Sequence, residues 1–297
     1  MSDARQETRL VSEPADRAPG HIQPALTAWC LRDAGAEAWS LEKICRVTRQ
    51  LGLSAVEVVQ PEEFPVLAKF GLKCALTASH GYVRGMNNPL HWDECLAGLR
   101  RSIDASAEAG FPNVVTFTGF GDTTRDEPGK AVEGGSVVDM EEGIRNCVEG
   151  YKKIAAYAES RKVTLCLESL NTRDAGAMKG HPGYQGAHID YCLEVIRKVG
   201  SPGLKLLFDA YHVQIMDGDL IRRIRQIGGE GIGHVQVAGV PGRGELDADQ
   251  EINFPAVMKA LDRAGYRGFV GLEFIPTRDA FVSLVQALGA LGMDGIL

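Results

Sequence analysis

The segment LKLLFDAYHVQIMDGDLIRRIRQIG (204–228) shows the pattern that decides the fold. Its first part, 204–210, is an almost wholly apolar run of strand length that closes on Asp209 and Ala210. An amphipathic stretch of helical character follows at 215–228. A strand that is apolar on both faces is typical of a parallel sheet covered by helices, so this segment predicts one β-strand followed by one α-helix.

The same alternation of strand and helix recurs along the rest of the chain, without a break in composition. The predicted strands are 25–31, 54–60, 71–78, 113–119, 163–169, 204–210, 231–239 and 268–274. The predicted helices are 40–52, 62–70, 89–110, 138–160, 187–200, 215–228, 254–265 and 277–291. Eight strand–helix units of this length predict an α/β fold, a single (β/α)₈ TIM barrel.

An open, doubly wound parallel sheet is the structural alternative. It is less favoured because the first strand–helix turn lacks the GxGxxG pattern and because the number of units is eight. We therefore expect one catalytic barrel domain at 23–297. It follows a polar tail at 1–22, which has no apolar core of a secretory signal and which we expect to be disordered.

Composition excludes several classes of partner. The chain has 297 residues and a net charge of −7, whereas a nucleic-acid-binding face would need basic residues. No stretch approaches the roughly 20 apolar residues of a membrane span. The seven cysteines are scattered without a CxxC pair, which indicates reduced thiols and a cytoplasmic protein. We expect a small-molecule substrate, with no nucleic acid and no membrane as partner.

Polar side chains end the later predicted strands, each of which is otherwise apolar. Glu168, Asp209 and Glu273 close three of these runs, and Gln236 stands near the end of a fourth. Any one of them would more often be a helix cap or a salt-bridge partner, but four in the same place indicate a shared site. Buried carboxylates need positive charge, and oxygen ligands suit Mn²⁺, Mg²⁺ or Co²⁺ better than Zn²⁺.

Other polar residues allow two interpretations each. His80 and His181 follow the third and fifth predicted strands, where they would either contact substrate or lie solvated in loops. Trp29, near the end of the first strand, suits an apolar wall over the substrate or packing at the barrel rim. Glu57 lies inside the second strand, and if it points into the barrel it needs a partner.

Long motifs in the second half of the chain carry a family resemblance. They are LCLESLN, LLFDAYHVQIMDGDL, and IGHVQVAGVPGRGELD followed by EINFPAVMKALDRAGYRGFVGLEFIP. These motifs resemble the hydroxypyruvate isomerase family, a branch of the xylose-isomerase-like TIM-barrel sugar isomerases and epimerases. The resemblance is densest at 163–278 and looser at 25–119.

The resemblance implies a role for each matching residue. Glu168, Asp209, Gln236 and Glu273 match the family's four metal ligands, and Glu168 and Glu273 also match the pair that carries the proton. Two further residues, His212 and Arg243, match groups that hydrogen-bond to substrate oxygens. Many members of the superfamily have histidine where Gln236 stands, and glutamine there is typical of the hydroxypyruvate isomerase branch.

The expected reaction is the isomerisation of a small hydroxy-carbonyl compound, such as hydroxypyruvate to tartronate semialdehyde, through an ene-diolate. A Mn²⁺ or Mg²⁺ ion would polarise the substrate oxygens while the two glutamates transfer the proton. The loops at 119–137 and 170–187 are extended, which leaves open whether they cover the substrate and how large it is.

Three other functions compete with this one. The first is a metal-dependent epimerase or lyase acting on a larger sugar, such as a 3-keto-glycoside. The second is an endonuclease-IV-like phosphodiesterase, which would need more histidine ligands and a basic face. The third is a binding module without catalysis, which would have no need of three strand-end carboxylates. The resemblance also implies a dimer or tetramer, as in many barrels of this family.

Overall fold

Eight β-strands form the centre of the computed structural model, which describes residues 22–124, 132 and 134–293. The strands are β1 (Gln23–Thr27), β2 (Ala55–Glu57), β3 (Lys73–Cys74), β4 (Asn113–Thr116), β5 (Thr164–Glu168), β6 (Leu204–Asp209), β7 (Ile232–Val237) and β8 (Phe269–Leu272). They pair in parallel in the order β3-β2-β1-β8-β7-β6-β5-β4. This order places the two ends of the sheet at β3 and β4.

Thr77 closes the sheet into a barrel. The backbone N–H of Thr77 donates to the Asn113 carbonyl at 2.9 Å, and the N–H of Val115 donates to the Thr77 carbonyl at 3.0 Å. The residue also forms a bridge to Val59 on the β2 side. Because a two-residue β3 is extended by this bridge, the eight parallel strands curl into the predicted TIM barrel, which is confirmed.

The helices follow the strands around the outside. They are α1 (Leu41–Gln50), α2 (Phe64–Lys69), α3 (Trp92–Ala109), α4 (Met140–Lys152), α5 (Ala155–Ser160), α6 (Ile189–Val199), α7 (Ala210–Met216), α8 (Leu220–Ile227), α9 (Phe254–Arg263) and α10 (Ala280–Ala290). Local signals set their ends: the Ser40 hydroxyl accepts the Lys43 N–H at the start of α1, and Gly110, at a φ of 71°, ends α3.

Three differences between the predicted elements and the structure affect the site and its surroundings. The predicted strand 25–31 ends at Thr27, and Cys30–Ala34 forms a π-helical turn instead. The predicted helix 138–160 breaks between α4 and α5. The predicted loop before 215 is α7, which begins directly after β6 because the Asp209 carboxylate caps it. His212 therefore lies in a helix and not in a loop.

Small and branched side chains fill the barrel interior. One layer consists of Ala25, Ala55 and Ala75. A second consists of Leu76, Val115, Cys166 and Leu207, all at most 3% exposed. Such layers make the interior a packed core and leave the carboxyl ends of the strands as the place where polar side chains meet.

All seven cysteines are buried and free of disulfides, as expected from the sequence. Burial raises the pKa of the Cys74 and Cys95 thiols to about 12. Among the described residues, we find no helix with the length and apolar character that crossing a membrane requires. The predicted tail, 1–22, lies outside the described residues except for Ile22, which is buried.

Candidate active site

The four strand-end residues lie at the carboxyl end of the barrel. Glu168 and Asp209 are the last residues of β5 and β6, Gln236 lies near the end of β7, and Glu273 directly follows β8. All four are at most 5% exposed. In the sheet register Asp209 pairs with Gln236, and Gln236 with Gly271. The strands therefore bring three carboxyl groups and one amide into a dry environment.

Glu168, Asp209 and His212 form a cluster in which one potential ligand atom of each residue lies within 4.8 Å of the others. Burial and the negative charge of Glu273 raise the pKa of Glu168 well above its ordinary value. The same two causes raise the pKa of Asp209 to about 7. Both acids are thus short of positive charge.

Arg243 supplies the positive charge that this cluster has. Its Nη2 lies 2.5 Å from Oε2 of Glu273 and 3.6 Å from Oδ2 of Asp209. Its Nη1 donates to the carbonyl of Met178 at 2.7 Å, and the guanidinium lies over the Trp29 ring at 4.9 Å. The backbone of Arg243 is left-handed, with a φ of 58°. This backbone conformation is unfavourable for a residue other than glycine, and the contacts of the guanidinium with Met178 and Glu273 accompany it.

Glu273 has a partner on each oxygen. The indole N–H of Trp29 donates to Oε1 at 2.8 Å, while Arg243 binds Oε2. Trp29 is thus neither only an apolar wall nor only packing at the rim, the two interpretations that the sequence left open. It fixes the carboxylate that the family resemblance makes a proton carrier.

The hydrogen bonds of His212 decide which ring nitrogen carries its proton. Nδ1 accepts the backbone N–H of Asn171 at 3.0 Å, and the Asn171 side-chain amide lies 2.8 Å from the same nitrogen. A nitrogen that accepts a backbone N–H carries no proton, so in the neutral ring the proton is on Nε2. Burial, Arg243 and His181 lower the pKa of His212 well below 6.5, which keeps the ring neutral. His212 therefore offers an N–H donor rather than a metal ligand.

The side chain of Gln236 is oriented by Glu57, the last residue of β2. Its Nε2 donates to Oε1 of Glu57 at 2.9 Å. Glu57 points into the barrel, where a buried carboxyl group needs partners. Thr27, His234 and Gln236 are those partners. The amide oxygen of Gln236 is buried and has no hydrogen-bond partner in the described part of the chain.

The predicted substrate residues divide into two groups. His181 and Arg243 line a cavity of about 300 Å³ at the barrel mouth. His80 and His212 are not among the lining residues. In His80, Nδ1 is bonded to the Gly81 carbonyl and Nε2 to the Thr116 hydroxyl. The cavity lining comprises Trp29, Arg32, Asp33, Val58, Gln60, Glu63, Ala78, Tyr82, Val115, Phe117, Glu168, Leu170, Met178, His181, Arg243 and Glu273.

The donor set fits a divalent cation. Besides the Gln236 oxygen, Oδ2 of Asp209 is buried without a hydrogen-bond partner among the residues described. Unsatisfied buried oxygens cost free energy, about 1 to 3 kcal/mol each, and a cation removes that cost. Carboxylate and amide oxygens are ligands for Mn²⁺ or Mg²⁺.

Sequence reasoning missed two residues that orient this site. Asn171 fixes the tautomer of His212, and His234 binds Glu57. His234 carries a signal in the sequence, because it lies two residues before Gln236 on one strand and so shares its face. Asn171 follows β5 in a loop, where no periodicity marks it.

Comparison with known proteins identifies the family. Residues 45–291 match the family model described as xylose isomerase-like TIM barrel, so the chain belongs to that family. A Homo sapiens protein named provisionally as a hydroxypyruvate isomerase is 33% identical over 216 residues, which is 61% of this chain and 76% of that protein. The 2-oxo-tetronate isomerase of Cupriavidus necator is 40% identical over 120 residues, 40% of this chain and 43% of that enzyme. The chain is accordingly an enzyme of the isomerase class.

A solved structure supports the same fold. The crystal structure of a Brucella melitensis protein named AP endonuclease, family 2, superposes with a TM-score of 0.72 at 22% identity. The match covers 89% of this chain and 97% of that one. At this identity the likeness extends to the barrel and not to the activity.

The raised pKa of Asp209 predicts how the stability of the metal-free protein depends on pH. An aspartate ionises near pH 3.9 in the unfolded chain but near 7 here. The folded protein binds a proton at Asp209 more tightly than the unfolded chain does. The free energy of unfolding therefore decreases as the pH rises from about 3.9 to about 7. We expect the free energy of unfolding in EDTA to fall by about 2 to 3 kcal/mol from this group between pH 5 and pH 8.

Urea denaturation of the wild type and of Asp209→Asn at both pH values measures this loss. Asparagine keeps the oxygen that caps α7 but does not ionise, so the variant should lose less stability than the wild type. Equal losses in the two proteins would show that Asp209 does not titrate in this range.

Proposed function

We propose that this enzyme is a divalent-metal-dependent isomerase of a small 2-oxo acid. Hydroxypyruvate, converted to tartronate semialdehyde, or a four-carbon 2-oxo acid would be its substrate. The observation that carries this proposal is a set of buried atoms without hydrogen-bond partners among the described residues. They are Oδ2 of Asp209 and Oε1 of Gln236 at the strand ends, and Nε2 of His212 in α7. The names of the related isomerases support the substrate class.

Four residues would hold the metal: Glu168, Asp209, Gln236 and Glu273. When bound, the cation would act as a Lewis acid that polarises the substrate carbonyl and offsets the charge of the carboxylates. Arg243 now offsets part of that charge through Glu273 and Asp209. With the cation in place, the side of Nη2 that faces Asp209 would be available to a substrate oxygen, while the contact of Arg243 with Glu273 would remain.

Proton transfer would fall to Glu168 and Glu273, which both line the cavity. One takes the proton from C3 of hydroxypyruvate and the other delivers a proton to C2, while a hydroxyl proton passes from O3 to O2. Trp29 and Arg243 hold the Glu273 carboxylate in one position for this step. The Nε2–H of His212 donates to the substrate oxygen on which negative charge develops.

The reaction predicts a specific result for Glu273→Gln. The amide cannot accept the substrate proton, so turnover should fall by about 10² to 10⁴, the usual contribution of a general base. Proton NMR in D₂O follows deuterium exchange next to the carbonyl and the appearance of tartronate semialdehyde. The assays would use metal-stripped protein with and without added Mg²⁺.

Wild-type turnover in Glu273→Gln would refute the assignment of this glutamate. Exchange with ketoses or a 3-keto-glucoside but not with 2-oxo acids would keep the proton transfer and replace the substrate. The competing sugar epimerase or lyase requires that second result. A cavity of about 300 Å³ lies at the small end of ligand sites, which favours the smaller substrate.

Arg32 is the residue that we propose to bind the substrate carboxylate. It lines the same cavity, and its Nη1 donates to Oε1 of Glu63 at 2.9 Å. Its Nε and Nη2 have no partner in the described ranges. These two nitrogens form one edge of the guanidinium, with parallel N–H bonds that match a carboxylate.

Arg32→Lys tests this role with a matched pair of substrates. Dihydroxyacetone carries a hydroxymethyl group where hydroxypyruvate has its carboxylate, so only the latter should depend on the guanidinium. We expect kcat/KM for hydroxypyruvate to fall about 10- to 100-fold, as for the loss of a charged hydrogen bond. The value for dihydroxyacetone should change little.

The control is Arg267→Lys, which alters a comparable ion pair, with Asp262, that does not line the cavity. It should leave both substrates unaffected. An equal loss on both substrates in Arg32→Lys would show that Arg32 does not recognise the carboxylate.

A further inference from the structure

Glu57 is a fully buried carboxylate that the proposed reaction does not use. It ends β2 and is 0% exposed. Three donors surround it: the Thr27 hydroxyl at 2.7 Å and the Gln236 amide at 2.9 Å on Oε1, and Nε2 of His234 at 2.6 Å on Oε2. Each contact comes from a different residue of the barrel interior. A buried carboxyl group with this many hydrogen-bond partners is part of the site's architecture.

These donors determine which way the Gln236 amide faces. Oε1 of Glu57 accepts from both the Thr27 hydroxyl and the Gln236 amide, so the NH₂ group of Gln236 faces Glu57. The reversed amide would set its oxygen against a carboxylate oxygen in a buried environment. The amide oxygen is therefore directed away from Glu57, and it is this atom that lacks a partner among the described residues.

The backbone leaves space for this arrangement. A Cβ atom on Gly271 of β8 would lie 2.0 Å from Oε1 of Glu57. Any side chain at Gly271 would therefore displace the carboxylate. On β7, His234 and Gln236 are two residues apart and share the inward face, so one strand presents both donors to Glu57.

We propose that Glu57 is a positioning residue that sets the Gln236 oxygen as a metal ligand. This inference rests on the metal site of the proposed function. Glu57 would do two things: fix the amide orientation, and polarise the amide so that its oxygen binds a cation more strongly. Gln236 then acts as a neutral ligand whose amide is held by a hydrogen bond to the Glu57 carboxyl group.

Metal binding tests the proposal without any substrate. Isothermal titration of metal-stripped protein with Mn²⁺ should show that Glu57→Gln binds about 10- to 100-fold more weakly than the wild type. Glutamine at 57 can accept as well as donate, so the Gln236 amide is free to turn its nitrogen towards the metal. Because turnover is not measured, a failure of the proposed isomerase activity would leave this result unaffected.

The visible absorption spectrum of bound Co²⁺ is a second measurement. It would not change if Glu57 only stabilised the fold. The visible bands of bound Co²⁺ report its ligands, so the spectrum of Glu57→Gln should match that of Gln236→Ala and differ from that of the wild type. Thr27→Val is the control, since it removes one donor from Glu57 but leaves the contact with Gln236. It should bind Mn²⁺ within about threefold of the wild type, because the typical net value of one neutral hydrogen bond is small.

An exchange of the two side chains addresses the case in which Glu57→Gln is poorly folded. In the double variant Glu57→Gln with Gln236→Glu, the amide at 57 can donate to the carboxylate at 236 and accept from His234. This variant should recover most of the Mn²⁺ affinity. Wild-type affinity and spectrum in Glu57→Gln would overturn the proposal, as would an equal loss of affinity in Thr27→Val.

Discussion

The arrangement of the barrel mouth depends on the shortage of positive charge around buried carboxylates. Glu168, Asp209 and Glu273 are each at most 5% exposed, and the guanidinium of Arg243 contacts two of them. One positive charge does not balance three acids, which is why burial and mutual repulsion raise the pKa of Glu168 and Asp209. The residues around these three carboxyl groups hold them together despite that repulsion.

The supporting contacts come from parts of the chain that are far apart in sequence. Trp29, after β1, binds Glu273 after β8. Asn171, after β5, fixes the ring of His212 in α7. Because Glu273 and His212 are each oriented by an element other than their own, the closed barrel is itself a condition for this arrangement. A local sequence motif would not suffice.

The sequence predicts the barrel well because strands that are apolar on both faces leave few alternatives. It also predicts which residues meet, since carboxyl ends of parallel strands lie at one edge. Prediction from the sequence fails where side-chain contacts set the local structure. The Asp209 carboxylate caps α7 directly after β6, and His212 therefore lies in a helix. The partners of Glu57 follow from closure of the barrel, because His234 is 177 residues away. The strand pattern places His234 on the same face as Gln236, but it does not indicate the contact with Glu57.

The seven free thiols give the fold a further property. All are buried, spread from Cys30 to Cys192, and those in the interior have pKa values raised by loss of water. Alkylating and oxidising agents need a thiolate that they can reach, so we expect these thiols to react slowly in the folded chain. The rate at which each thiol is modified thus measures how often its part of the barrel opens. Two of the cysteines would report on strands β3 and β5, and the other five on the helical segments around the barrel.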